Sequence, residues 1–149
     1  MRILVATDGS RAAAAAVRFA SRLAAGDNGE NELIVLTVYA GAPAGEADDA
    51  EPREDAKRAL ADAGRILRGS GSPPARFDLI RARNADGVPE AISRQADRLR
   101  ADLVVVGSEG RDSLAEWVVG GTALRLIYVA HRPVTVVRAP RRRGARDVG

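Results

Sequence analysis

Glycines in the last third of the chain have a spacing that suits the binding of phosphate. Gly107 and Gly110 follow a valine-rich run, and nine residues separate Gly110 from Gly120-Gly121-Thr122, where a segment with helical periodicity begins. Glycine lets a backbone approach a ligand closely, and the first N–H groups of a helix have no acceptor within that helix. A strand, this loop and the helix N-terminus therefore form a candidate anion cradle.

A carboxylate follows the first apolar run of the chain. Asp8 stands directly after residues 2–7, and Gly9-Ser10 leads from it into an alanine-rich segment with helical spacing. Short polar side chains favour helix starts, because their oxygen atoms accept the unpaired N–H groups of the first turn. The residues themselves indicate that the Asp8-Gly9-Ser10 turn provides the N-cap of this helix, a role that is compatible with binding of a ligand by Asp8.

Five apolar runs alternate with four helical segments along the chain. The runs predict strands at residues 2–7, 32–39, 76–82, 103–106 and 133–138, and the third mixes apolar and charged residues as an edge strand does. This alternation indicates an α/β fold in which helices cover both faces of a parallel sheet and the crossovers are right-handed.

The helices and loops between these strands carry three further predictions. Asp86 is expected to cap the third helix, with Pro89 in its first turn. Residues 40–52, which are rich in Gly, Ala, Pro and acids, are expected to form a mobile loop. The fourth helix is expected to turn one apolar face inward, formed by Ala123, Leu126, Ile127 and Ala130.

Four stretches together resemble the universal stress protein domain. They are ILVATDGS at residues 3–10, DLVVVG at 102–107, the G-x-x-G, nine residues, G pattern, and RPV followed by TVV at 132–137. The resemblance covers about residues 1–138. It implies a five-stranded, open, doubly wound, Rossmann-like sheet with strand order 3-2-1-4-5. Ligands of such sheets bind where the strand order reverses, here between strands 1 and 4, so Asp8 and Gly107 are expected to meet.

The same resemblance implies a ligand, namely ATP, with or without Mg²⁺, or a related adenine nucleotide. Asp8 and the backbone near Val38 would hold the base, and the glycine cradle would hold the ribose and phosphates. The implied nucleotide-binding residues are Ala6, Thr7, Asp8, Val38, Val106, Gly107, Gly110, Gly120, Gly121 and Thr122. Nucleotide binding would act as a stress-response sensor or switch.

Two departures from the family pattern leave other functions open. Typical members have Ser or Thr where this chain has Gly121, and losing that hydroxyl weakens binding about tenfold. Glu109 brings negative charge into the loop, with Asp112 and Glu116 behind it, and Arg111 offsets only part of that charge. One alternative is a member that no longer binds nucleotide and acts through protein–protein interaction, and another is a slow ATP-hydrolysing enzyme.

Several other chemistries are disfavoured by what the sequence lacks. It has no G-x-x-x-x-G-K-[ST] motif, no G-x-G-x-x-G after its first strand, and one lysine, Lys57, far from either glycine loop. It contains no cysteine and one histidine, so neither thiolate chemistry nor a histidine-based metal site is expected. We therefore predict neither catalytic nor metal-binding residues, and a protein that is not an enzyme.

Length and charge predict one domain at residues 1–139 and an arginine-rich disordered tail at 140–149. The tail carries the whole net charge of +3, so the body shows no basic surface and nucleic acid is not an expected partner. No apolar run approaches the ~20 residues of a membrane span and no signal peptide is visible, so a cytoplasmic protein is expected. The resemblance implies a homodimer through the last strand, between Val134 and Arg138, and a further protein partner stays open.

Overall fold

Helices and strands alternate along the chain in the computed structural model, which describes residues 1–42, 48–109 and 119–140. Two short 3₁₀ turns, Asp27–Gly29 and Ala85–Gly87, precede the second strand and the third helix. All five predicted strands are present, with bounds within one residue of those expected. The main elements are β1 (Arg2–Ala6), α1 (Arg11–Ala24), β2 (Glu32–Ala40), α2 (Ala50–Leu67), β3 (Ala75–Ala82), α3 (Val88–Arg98), β4 (Leu103–Gly107), α4 (Gly121–Val129) and β5 (Val134–Val137).

The five strands form one parallel sheet in the order β3-β2-β1-β4-β5. β1 pairs with β2 on one side and with β4 on the other, so the chain reverses its direction of winding between β1 and β4. This confirms the α/β, doubly wound, Rossmann-like fold and its strand order. The carboxyl ends of β1 and β4 diverge at this reversal, which is where a crevice opens in such sheets.

The helices bury two separate apolar layers against the two faces of the sheet. On one face, alanines and a valine of α1 pack with Ala63 of α2 against Ile3, Val5 and Val105. On the other face, α3 and α4 pack against Leu4, Val104 and Val106. Because successive side chains of a strand point to opposite faces, β1 and β4 contribute to both layers, and the three central residues of each strand are buried.

The segment predicted to be a mobile loop, residues 40–52, is shorter than expected. Ala40 belongs to β2 and α2 begins at Ala50, while residues 43–47 lie outside the described ranges. Asp49 fixes the start of α2, because its carboxylate accepts from the Arg81 Nε at 2.5 Å and from the Ala42 N–H at 2.7 Å. The hydrogen bond from Arg81 holds the pKa of Asp49 below its ordinary value.

The prediction that Asp86 caps the third helix is wrong. Asn84 accepts a hydrogen bond from the Gly87 N–H at 3.0 Å, and Asp86 lies inside the 3₁₀ turn that leads into α3. The side chain that caps this segment therefore lies about one turn before α3 begins at Val88. Pro89 does lie in the first turn of α3, as predicted, where its missing N–H removes no helical hydrogen bond.

The apolar face that α4 turns inward is narrower than predicted. Ala123 and Leu126 are buried and Ala130 is half-buried, but the side chain of Ile127 is 51% exposed. α4 contacts α3 and the edge strand β5, so only part of its apolar face has sheet beneath it. No helix within the described ranges has both the length and the apolar character that crossing a bilayer requires.

α3 ends in a Schellman motif with an unusual residue at its left-handed position. The Ala101 N–H donates to the Ala96 carbonyl at 2.9 Å, and the Arg100 N–H donates to the Asp97 carbonyl at 3.1 Å. Arg100 has φ of +54°, a conformation that glycine usually provides at this position. A side chain in this region costs about 1 kcal/mol, so Arg100 holds the turn under strain.

Gly107 lies where β4 touches the start of α1. A Cβ atom at this position would meet the Ala12 carbonyl carbon and the Ala13 nitrogen, each at 2.7 Å. These are backbone atoms and cannot move aside as the end of a flexible side chain can. A glycine is therefore needed for the sheet and α1 to approach each other here.

Replacing Gly107 with alanine is expected to destabilise the protein by about 1–3 kcal/mol, because the new methyl group forces β4 away from α1. Gly121→Ala is the matched control, since no atom of the described residues lies within 4 Å of a Cβ there and alanine favours a helix. Urea unfolding of both variants measures the difference. Equal stability of the two variants would contradict the close packing described at Gly107.

Arg100→Gly is expected to raise the free energy of unfolding by up to about 1 kcal/mol, because it removes the left-handed strain. Arg94→Gly is the matched control. Arg94 is an exposed residue in the interior of the same helix, where glycine should cost about 1 kcal/mol. Thermal unfolding of the pair should therefore shift in opposite directions, and a loss of stability in Arg100→Gly would show that the side chain stabilises the fold.

Candidate functional site

A cleft of about 1070 Å³ opens at the carboxyl ends of β1 and β4, where the sheet reverses its strand order. It contains nine of the ten residues predicted from the sequence, and the tenth, Gly110, lies outside the described ranges. The nine come from β1, β2, β4, α4 and the turns beside them, namely Ala6, Thr7, Asp8, Val38, Val106, Gly107, Gly120, Gly121 and Thr122. Residues distant in sequence thus line a single concave surface.

The turn after β1 forms one wall of this cleft and is held by its own side chains. Asp8 Oδ1 accepts from the Ser10 N–H at 2.9 Å, and Thr7 Oγ1 accepts from the Gly9 N–H at 3.2 Å. As the sequence predicts, this turn caps α1, and the capping residue is Ser10, whose Oγ accepts from the Ala13 N–H at 3.1 Å. Asp8 orders the turn and lines the cleft.

The loop after β4 meets this turn directly. The Ser10 Oγ donates to the Glu109 carbonyl at 3.4 Å, and Gly107 packs against the backbone at the start of α1. Two further backbone bonds hold the loop, from the Ser108 N–H to the Val137 carbonyl at 2.8 Å and from the Gly120 N–H to the Ser108 carbonyl at 2.5 Å. The predicted meeting of the first turn with the glycine loop is therefore present in the fold.

The N-terminus of α4 completes the polar part of the cleft. Gly120 is the N-cap residue and no side chain caps the helix, so the first N–H groups of α4 have no partner inside it. Gly121 has open space around it, and Thr122 is exposed at the cleft. Backbone donors and the helix dipole together favour a negatively charged or strongly polar group at this position.

Apolar side chains also line the cleft, and those from α3 were not among the predicted site residues. Val88, Pro89 and Ile92 of α3 line the cleft together with Val38 of β2. Val88 and Ile92 are four residues apart, a spacing that places them on one face of a helix and indicates only that they face inward. It could not show that part of this inward surface borders a cleft, because that depends on where α3 ends relative to the sheet edge.

The charged lining of the cleft is mostly acidic. Asp8, Asp86, Glu90 and Glu109 contribute carboxylates, and Arg125 is the one basic residue among the described lining residues. Arg125 Nε donates to Glu90 Oε1 at 3.1 Å. Hydrogen bonds from its own backbone N–H and from Arg125 hold the pKa of Glu90 below its ordinary value, so both partners stay ionised at neutral pH. Nothing in the sequence linked Glu90 to Arg125, which lies 35 residues away.

Comparison with solved structures places this fold among known proteins. A universal stress protein from Archaeoglobus fulgidus in complex with dAMP is similar with a TM-score of 0.68 and 26% identity, covering 93% of this chain and 98% of that one. A universal stress protein in complex with cAMP has a TM-score of 0.71 at 21% identity, covering 94% and 98% of the two chains. At 21% identity, the similarity to the cAMP complex shows only that the two proteins share a fold.

Comparison of the sequence leads to the same group of proteins. Universal stress protein MJ0531 of Methanocaldococcus jannaschii is 40% identical over 58 residues, which are 38% of this chain and 34% of that protein. The match therefore spans about a third of the length of this relative. The model of the universal stress protein family matches residues 1–138. This chain belongs to the universal stress protein family.

Proposed function

We propose that this protein binds an adenine nucleotide in the cleft between β1 and β4. The observation that carries the proposal is the convergence of nine residues, which the family resemblance implied, on one concave surface at the reversal of strand order. Crevices of this kind are the usual ligand sites of open α/β sheets. The dAMP complex of the Archaeoglobus fulgidus relative supports the same class of ligand.

The two halves of the cleft suit the two ends of a nucleotide. Val38, Val88, Pro89 and Ile92 offer an apolar surface on which a base can lie. The loop after β4 and the N-terminus of α4 offer backbone N–H groups to the ribose and phosphate. Asp8 accepts hydrogen bonds from the base or the sugar, and its other contact, with the Ser10 N–H, fixes its orientation.

The proposed role is that of a cytoplasmic sensor or switch rather than an enzyme, with ATP, with or without Mg²⁺, among the candidate nucleotides. Binding would order the turn after β1 and the loop after β4 together, since Ser10 and Glu109 already join them. A ligand shared by two segments stabilises the arrangement in which both contact it, and a partner can read that arrangement.

Asp8→Ala is expected to weaken adenine-nucleotide binding at least tenfold, because a polar contact to the ligand is lost. Calorimetric titration with AMP and ATP measures the effect. Asp62→Ala is the matched control, since Asp62 does not line the cleft and pairs with the neighbouring Arg65 of α2. Gly121→Ser should tighten binding about tenfold by adding a hydroxyl in open space, whereas Gly121→Ala should not.

Mass spectrometry of the freshly purified protein gives an independent result. An adenine nucleotide released from the native protein on denaturation would support the proposal. A protein that carries no nucleotide and shows no thermal shift with millimolar AMP, ATP or Mg-ATP would contradict it. That outcome would favour a second candidate function, an interaction module without nucleotide, which the missing hydroxyl at Gly121 and the carboxylate of Glu109 also favour.

ADP formation that scales with protein and is lost in Asp8→Ala would indicate slow hydrolysis instead.

We also propose that two copies pair through β5, the edge strand beside β4. The carbonyls of Pro133 and Val137 accept hydrogen bonds from the β4 side, so the backbone groups of Val134 and Val136 point toward the open edge. A half-buried apolar edge of this kind is usually covered or paired. A symmetric antiparallel pairing of two β5 strands would cover it.

Val136→Pro is expected to convert the dimer to a 15.7 kDa monomer in light scattering after size exclusion, because it removes an outward N–H. Val136→Ala is the control, since it reduces the side chain but keeps the N–H, and it should remain dimeric. A wild-type chain that is monomeric at high micromolar concentration would refute the pairing.

A further inference from the structure

A second cavity lies at the amino ends of the strands, at the other end of the sheet from the cleft. Its volume is about 520 Å³, and the starts of β1, β2 and β3 line it together with the end of α3. Among the described lining residues, Arg2, Arg76, Arg98 and Arg100 are basic and Glu32 is the one acid. We propose that this cavity binds a small phosphomonoester through its dianionic phosphate group.

Two of these arginines are paired with carboxylates. Arg2 Nε donates to Glu32 Oε2 at 3.0 Å, and Arg76 Nε donates to Asp78 Oδ1 at 2.9 Å. A carboxylate neutralises its guanidinium and uses one or more of the N–H donors that phosphate would need. Arg2 and Arg76 therefore help an anion less than an unpaired arginine would.

The other two arginines have no carboxylate partner among the residues that the structure describes. Arg98 Nε donates to the neutral Oε1 of Gln95 at 3.0 Å, and Gln95 Nε2 donates in turn to Asp78 Oδ2 at 2.9 Å. Because Gln95 is buried and held by both bonds, it fixes the position of the Arg98 side chain. Arg100 makes no hydrogen bond or ion pair within residues 1–42, 48–109 and 119–140.

Two unpaired guanidinium groups in one cavity match the charge of a phosphomonoester. Such a phosphate carries about two negative charges at neutral pH, because its second pKa is about 6. The planar guanidinium presents several N–H donors that fit phosphate oxygens in pairs. Arg98 and Arg100 together therefore offer the charge and the donors that one phosphate group requires.

The backbone conformation of Arg100 is a separate indication of a ligand. Arg100 has φ of +54°, at a position where glycine usually ends a helix. Side chains held in this conformation cost stability, and such residues cluster at ligand and active sites. The fold gains no partner for this side chain in return, so a ligand is the contact that would account for it.

Capping of α3 does not explain these two arginines. The carbonyls of Gln95, Ala96 and Asp97 each accept a hydrogen bond from a backbone N–H that follows them in the chain. The Leu99 carbonyl accepts from Arg2 Nη1 at 3.1 Å. These groups at the end of the helix are thus satisfied without either unpaired guanidinium.

Apolar residues complete the lining of the cavity and favour a small organic phosphate. They are Leu33, Ile34, Pro74 and Leu99. The volume falls within the range of about 300–1,000 Å³ that is usual for small-molecule pockets. A phosphodiester of a nucleic acid carries one negative charge and matches the two arginines less well.

Amide chemical shifts of the ¹⁵N-labelled protein, titrated with phenyl phosphate, test the proposal directly. Phenyl phosphate has no adenine base, the group that the cleft is proposed to bind. Saturable shifts are expected in the amides of residues 98–102, and diethyl phosphate, with a single charge, should bind at least tenfold more weakly. Shifts confined to the start of α4, or a DNA duplex that shifts residues 98–102 at lower concentration than phenyl phosphate, would overturn the proposal.

Two variants test the unpaired arginines. Arg98→Gln and Arg100→Gly should each weaken phenyl phosphate binding about tenfold, because each removes a charged donor. Arg100→Gly is expected to be at least as stable as the wild type, so its loss of binding would not reflect unfolding. Arg18→Gln is the matched control, since Arg18 is an exposed residue of α1 that does not line the cavity, and it should bind as the wild type does.

Two outcomes with these variants would overturn the proposal. One is wild-type binding of phenyl phosphate by both Arg98→Gln and Arg100→Gly. The other is an equal loss of binding in Arg18→Gln, which would show that the anion responds to overall charge rather than to this cavity. Neither outcome bears on nucleotide binding in the cleft, because the two sites lie at opposite ends of the sheet and share no lining residue.

Discussion

The structure depends on how closely β4 approaches the first turn of α1. At Gly107 the strand lies against the backbone of Ala12 and Ala13 with no room for a Cβ atom. This contact draws the loop after β4 onto the turn after β1, where Ser10 bonds to the Glu109 carbonyl. The cleft at the reversal of strand order takes its shape from that contact. Glycine is therefore required at position 107 for packing, whether or not a ligand touches it.

The two walls of the cleft differ in chemistry because they come from different layers. The polar wall is formed where helices and strands begin or end. There, N–H groups at the start of α4 and in the turns have no strand or helix partners. The apolar wall consists of α3 residues that continue the core beyond the edge of the sheet. A nucleotide has the same division into an apolar ring and a polar sugar phosphate.

Strain in this fold is placed away from the cleft. Arg100 holds a left-handed conformation at the end of α3, on the side of the sheet from which the next strand begins. Beside the cleft, the left-handed conformation is provided by glycine, as at Gly9 with φ of +81°. At Gly9 this conformation is adopted readily, because glycine has no Cβ atom.

The sequence by itself determined the elements, their parallel arrangement and the positions of the polar residues that follow β1 and β4. Periodicity and glycine spacing are local properties, and strands of a parallel sheet all end at the same edge, so local signals were sufficient to indicate the glycine cradle and the carboxylate of Asp8. The full set of site residues, nine of which line the cleft, came from the family resemblance. The strand order came from the family resemblance, since composition does not encode it. Tertiary structure alone decided that Asn84 rather than Asp86 makes the cap before α3, that Ile127 faces outward, and that Glu90 neutralises Arg125. Each of these depends on where one element ends relative to another that is distant in sequence, and no local pattern carries that information.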